Sequence, residues 1–191
     1  MAKTESTLKN MILSLVVISL VASLALGSIY NVTKEPIALA VKAKQENAIK
    51  EVLPEFDSLA SVRVMPANGK DSITLHYAFK AGQHIGTAIA SYSNKGYDAT
   101  QIQLMIGVLP DMSIRKISVV QQKETPGLGT KMTEPKFKDQ FNGKNPAQFV
   151  LKVKKDGGNV DAITAATVSS RAFCDAVQRA YDTYEKEGGN K

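Results

Sequence analysis

The chain has 191 residues, with 24 basic and 18 acidic side chains and a formal net charge of +6 at pH 7. That length holds one folded domain plus an anchor, and the apolar and charged fractions are those of a globular protein and exclude a disordered one. The single cysteine, Cys174, and the lack of any CxxC exclude an internal disulfide, a cysteine-held iron–sulfur cluster and c-type haem within this chain. The basic residues form no dense run interleaved with aromatics, so no nucleic-acid partner is expected.

Residues Asn10–Thr33 carry no charge, and Met11–Ile29 is almost wholly apolar, long enough to cross a bilayer as a helix. Lys3 and Lys9 precede it, which predicts a cytoplasmic N-terminus with the remainder across the membrane. A cleaved signal peptide is the competing reading, but the apolar run exceeds a usual signal core and favours an uncleaved anchor. Pro36 opens a second helical pattern, with Val41, Ala48, Ile49 and Val52 on one face, ending before Pro54.

Ile73, Leu75, Tyr77 and Phe79 alternate as in a half-buried strand, and Thr87–Ser93 is a weaker strand candidate. Ile102, Leu104, Ile106 and Val108 alternate again, Pro110-Asp111 makes a turn, and Ile114–Gln122 returns as the second arm of a hairpin. Phe149–Lys155 reads as a further strand before the turn at Asp156-Gly157-Gly158. From Thr164 onward Phe173, Val177, Tyr181 and Tyr184 recur at helical spacing, with Asp161 and Thr164 as candidate N-caps. The order predicts an α+β domain with a mainly antiparallel sheet and flanking helices. His76 and His84 are isolated and read as structural, and Cys174 reads as a small buried apolar residue.

Two stretches rise above this background. Lys123-Glu124-Thr125-Pro126-Gly127-Leu128-Gly129-Thr130-Lys131 packs two glycines and a proline into four residues, fixing an unusual backbone path that can aim N–H groups at an anion or a ring edge. Val160–Ser170, VDAITAATVSS, gathers the hydroxyls of Thr164, Thr167, Ser169 and Ser170 at a helix start, where free N–H groups and the dipole favour a phosphate. Taken singly, each also reads as a tight turn and a capped amphipathic helix.

Together they resemble the FMN-binding domain family. Asp161-Ala-Ile-Thr164-Ala165-Ala166-Thr167-Val168-Ser169 is similar to its flavinylation motif D-x-x-[ST]-G-A-T-x-[ST], in which the last Thr carries FMN through a phosphoester attached by a separate flavin transferase. Ala165 stands where that family has Gly. The ETPGLG loop is similar to the one in the G subunit of the Rnf electron transport complex and in the C subunit of the sodium-pumping NADH:quinone reductase, where it lies against the flavin.

The resemblance implies FMN held covalently at Thr167, with Glu124, Thr125, Gly127, Leu128 and Gly129 along the isoalloxazine and Lys131 nearby. It further implies that Asp161, Thr164, Ala165, Ala166, Ser169 and Ser170 complete the cofactor site. Chain length favours the Rnf branch, in which the chain is a redox subunit, without complete activity of its own, of a complex that exchanges electrons between ferredoxin and NAD with coupled ion movement. The implied partners are membrane and iron–sulfur subunits of that complex, the transferase and membrane lipid. The quinone reductase subunit and an anchored FMN-binding module without redox activity are the alternatives. The implied division is a cytoplasmic tail and anchor over 1–33, a connecting helix over 34–60 and an extracytoplasmic FMN-binding domain over 61–191.

Overall fold

A computed structural model describes residues 7–66 and 69–188; Lys3, used above to orient the chain, lies outside them. The chain divides into two compact units after Ala43.

The first element, α1, runs from Leu8 to Val52 without a break, so Pro36 lies inside a helix and does not open a second one. Proline removes one i→i−4 hydrogen bond, but Ala38, Ala40, Ala43 and Ala48 follow it and favour the helix strongly. In the first unit the apolar side chains of α1 are exposed, and an 18-residue window is long and apolar enough to cross a membrane. Its hydroxyls are satisfied internally: Ser14, Ser19, Ser23, Ser28 and Thr33 each donate to the carbonyl four residues back at 2.7–2.8 Å. Such bonds let polar side chains sit in a medium that offers no partners.

The second unit is built on a five-stranded antiparallel meander, β1 (Ser58–Val64), β2 (Ile73–Lys80), β3 (Gln83–Ser93), β4 (Ile102–Val108) and β5 (Ile114–Gln121), in that spatial order. β3, expected as a short and weak strand from Thr87, is the longest of the five and sits in the middle of the sheet. β1 was not foreseen. It is an exposed edge strand, SLASVRV, with no strict alternation to mark it.

The register aligns Leu75, Ile89, Ile106 and Ile117 across four strands, and all four are fully buried. This row faces the larger core, closed by α3 (Thr167–Lys186) through Phe173, Val177, Tyr181 and Tyr184. Between β5 and α3 the chain makes a 3-10 turn at Gly129–Thr133, a one-turn helix α2 (Pro135–Lys138) and another 3-10 turn at Asp139–Phe141. The rings of Phe137 and Phe141 lie 5.1 Å from that of Phe173, pinning this segment beside α3.

The opposite face carries small residues. Ala78, Ala88 and Met105 pack against Ala48, Ile49, Val52 and Leu53, so the last turns of α1 belong to the core of the second unit. A Cβ on Gly107 would collide with the Val52 carbonyl, so only glycine admits the helix end there.

The expected strand at Phe149–Lys155 is absent. Val153 makes a single parallel bridge to Val160, and Lys154–Asp156 is a 3-10 turn. Leu151 and Val153 of this stretch are buried in the main core, with Phe149 packed against it, which produces an alternating pattern without a ladder.

Candidate cofactor site

The ETPGLG loop leaves the end of β5 and folds on itself. The Glu124 N–H donates to Gln122 Oε1 at 2.7 Å, the Thr125 carbonyl accepts from Leu128 N–H at 3.1 Å, and Gly127 N–H donates to Thr130 Oγ1 at 3.0 Å. Gly127 takes φ +73° at the exposed tip of this turn, the left-handed conformation glycine adopts most readily. Gly129 has the opposite reason to be glycine. A Cβ there would lie 2.5 Å from Ser169 Oγ and 2.6 Å from Glu124 Cβ, so the loop touches the start of α3 only because this side chain is missing.

The helix start is also unlike the expectation. Neither Asp161 nor Thr164 caps α3; the N-cap is Ala166, which has no side-chain acceptor, so the first-turn N–H groups have no cap. Asp161 instead pairs with Lys154 at 2.8 Å, while its own N–H donates to Gln140 Oε1 at 2.8 Å. Ser170 does the local fixing from within the helix: its buried hydroxyl donates to the Ala166 carbonyl and accepts from Ile163 N–H, both at 2.9 Å. Ala165 sits at φ +61°. The backbone here needs the left-handed conformation in which a Cβ costs about 1–2 kcal/mol, and this is the position where the resemblance leads one to expect glycine.

These two pieces face one cavity of about 500 Å³, lined by Tyr97, Thr125, Leu128, Gly129 and the run Ala165–Ser169. Its size suits a small-molecule or cofactor site. A smaller cavity of about 200 Å³ lies against Lys131, Lys136, Gln140, Asp161 and Thr164. The sequence-expected site is therefore divided. Thr125, Leu128, Gly129, Ala165, Ala166, Thr167 and Ser169 share the larger cavity; Lys131, Asp161 and Thr164 line the smaller one; Ser170 points into the core, and Gly127 is at the exposed tip.

Of the four hydroxyls, two are committed inside the fold. Ser169 donates to Glu124 Oε2, and Ser170 is tied as described. Thr167 is half-buried, lines the larger cavity and has no hydrogen-bond partner for its side chain among the described residues, whereas Thr164 is exposed and lines the smaller. Glu124 does not reach the cavity. It is 4% exposed, behind Gly129 and Ser169, with Oε1 accepting from the N–H groups of Tyr97 at 2.9 Å and Asp98 at 3.4 Å.

Tyr97 and Val168 were missed as wall residues. Tyr97 is 75% exposed at the cavity although it follows a half-buried glycine and precedes a central strand. The Gly96-Tyr97 pair just upstream of β4 is the one sequence signal that could have marked it. Its turn is held on the far side by Asp98, whose carboxylate accepts from Thr100 N–H at 2.7 Å; hydrogen bonds from Thr100 hold that carboxyl below the usual range.

Comparison with known proteins assigns the chain. It is 33% identical over 94% of its length, and 96% of the relative's, to the G subunit of the ion-translocating oxidoreductase complex of Methanosarcina acetivorans. The chain belongs to this family of G subunits. The corresponding protein of Aliivibrio fischeri ES114 is 30% identical over 95% of the chain and 94% of that protein. The G subunit of the Na(+)-translocating ferredoxin:NAD(+) oxidoreductase complex of Acetobacterium woodii is 30% identical, covering 91% and 89%. An FMN-binding domain model matches residues 96–182, a range that contains both motifs and Tyr97. Among solved structures, Shewanella oneidensis NqrC matches with 22% identity and a TM-score of 0.44 over 71% of this chain and 66% of that one.

In this member of the G-subunit family the remaining polar candidates have structural partners. His76 Nδ1 lies 2.7 Å from Ser61 Oγ, with its pKa lowered by burial, and His84 Nε2 lies 3.0 Å from Thr87 Oγ1. Cys174 is buried in α3, and burial pushes its thiol up to about 12.

Proposed function

We propose that this chain is a membrane-anchored electron-transfer subunit that carries one FMN joined by a phosphoester to Thr167, within an ion-translocating ferredoxin:NAD oxidoreductase complex. The observation that supports the attachment point is the state of the hydroxyls: of the four, Thr167 alone both lines the cavity shared by the two motifs and has no side-chain partner among the described residues. The cavity suits the group, since an uncapped helix start supplies N–H donors beside Thr167 for a phosphate. Leu128 and Tyr97 supply exposed apolar and aromatic surface for a ring.

The flavin supplies the redox chemistry when bound; the chain fixes its place and surroundings. Thr167 holds it, Thr125, Leu128 and Gly129 form one wall, and Ala165, Ala166 and Ser169 form the other. An accessible hydroxyl on fixed backbone suits modification by a flavin transferase. A covalent link suits an extracytoplasmic domain, because a dissociated cofactor would be lost there. The names of the relatives from Methanosarcina, Aliivibrio and Acetobacterium support membership in such a complex and hence other subunits as partners; membrane and iron–sulfur subunits are proposed among them. The apolar part of α1 serves as the anchor in lipid, with residues 1–33 as tail and span and the connector from residue 34 onward; the flavin domain expected over 61–191 also takes in the end of α1 and the whole of β1. The N-terminus is cytoplasmic.

The test is intact mass of the full chain made beside a flavin transferase, read with fluorescence of the denatured band. One added FMN mass and a fluorescent band are expected. Flavin that leaves on denaturation would identify a non-covalent binding module instead.

A further inference from the structure

One buried carboxylate ties together the three segments around the larger cavity. Glu124 sits in the ETPGLG loop, accepts from the backbone of Tyr97 and Asp98 in the turn before β4, and accepts from Ser169 Oγ in the first turn of α3. Its side chain is shut in by two glycines. A Cβ on Gly96 would lie 2.5 Å from Oε1, and a Cβ on Gly129 would lie 2.8 Å from Oε2. Three donors converge on its two oxygens, and no cation pairs with it among the described residues. Burying such a group without a counter-ion is costly unless its acceptor sites are filled, so this arrangement favours one geometry of the three segments over all others.

We infer that Glu124 is a positioning residue, which holds the Gly96–Asp98 turn against the loop and α3 so that Tyr97 forms an aromatic wall of the cavity. Tyr97 cannot be held there by its own packing, since it is 75% exposed. Its backbone N–H is the attachment, and the acceptor is Glu124. The ligand class that such a wall fits is a planar ring. The inference rests on the flavin reading above and adds to it a residue that acts on the ring only through Tyr97.

The test uses the full-length chain in detergent, with and without a co-produced flavin transferase, and reads amide exchange across residues 94–100 together with the visible circular dichroism of the loaded flavin. Glu124→Ala should speed exchange at Tyr97 and Asp98 by about tenfold, the scale of a lost charge-assisted hydrogen bond, and should change the flavin dichroism. Glu124→Gln should restore both, because its carbonyl oxygen still accepts from the two amides and its NH2 donates to Ser169 Oγ. Gly96→Ala, which leaves Glu124 in place but displaces Oε1, should reproduce the faster exchange. Unchanged exchange in Glu124→Ala, or a Glu124→Gln protein that behaves like the alanine variant, overturns the inference. Absence of FMN mass from the wild-type chain would instead defeat the flavin reading, and the exchange arm on unloaded protein would still test the clamp.

Discussion

The two cavities beside the start of α3 draw on the same eleven-residue stretch yet are different kinds of place. The larger joins loop, turn and helix through Glu124, and its contacts at Gly129 are tight enough that no side chain fits. The smaller is lined by Lys131, Lys136, Asp161 and Thr164, with the Asp161–Lys154 pair beside it in solvent. Ala165 separates them. Its left-handed backbone turns the chain between Thr164 and Thr167, so hydroxyls three residues apart serve different cavities. Neighbours in sequence are thus not a surface; the backbone conformation between them decides.

The largest test of that contrast is at the two threonines. Thr167→Ala should fold normally and lose all covalent flavin, while Thr164→Ala should lower loading without moving the attachment point. Peptide mass mapping reads this directly, because Lys155 and Arg171 bracket the stretch for trypsin. FMN mass on Thr164, Ser169 or Ser170 would remove the distinction between the cavities.

Next come the loop glycines, which should respond unequally. Gly129→Ala must push apart Glu124 and Ser169, and overpacking of this kind costs about 1–3 kcal/mol. Its denaturation midpoint and flavin loading should both fall. Gly127→Ala meets nothing within 4 Å and should show only the backbone cost of its positive φ, about 1–2 kcal/mol, with loading retained. Equal loss of loading in the two variants would show that the loop acts as a unit.

Ala165→Gly should relieve strain at φ +61° and raise stability by about 1 kcal/mol, with loading unchanged or slightly faster. Ala165→Leu should block loading by crowding the approach to Thr167. A lower melting temperature in the glycine variant would mean that the left-handed turn is not strained.

The smallest effects belong outside the larger cavity. Lys131→Ala should leave flavin loading close to wild type, since Lys131 faces the other cavity. Cys174, whose buried thiol is pushed up to about 12, should resist alkylation at pH 9 in the folded protein and react once the chain is unfolded. Burial favours the neutral thiol, so the folded pKa lies above the unfolded value of 9.0 and thiolate is scarce at that pH. Rapid alkylation of native protein would place Cys174 in an opening segment.

Much of the fold was legible because its signals are local. The span at Met11–Ile29, the alternation of β2 and β4, the turn after which β5 returns, and the apolar face of α3 each follow from side-chain order along a few residues. The elements that were missed, or read only in part, lack such a signal. β1 is an exposed edge with nothing to bury on a regular period. β3 is covered on both faces and carries small residues, Gly86, Ala88 and Ala90, where the end of α1 or a neighbouring strand comes close. Phe149–Lys155 alternates because two of its side chains fill the core, while its backbone pairs only at one bridge.

For the site, the sequence by itself determined which residue types are present and in what order: a glycine-rich loop after a strand, and four hydroxyls before a helix. Only the tertiary structure decided which of these meet. Hydrogen bonds to Glu124 and within the Ser170 turn remove two hydroxyls from consideration, a left-handed residue turns a third away, and close approach at Gly129 brings the loop against Thr167's helix. These choices depend on contacts between segments some 45 residues apart, as from Glu124 to Ser169, and no local pattern of side chains encodes them.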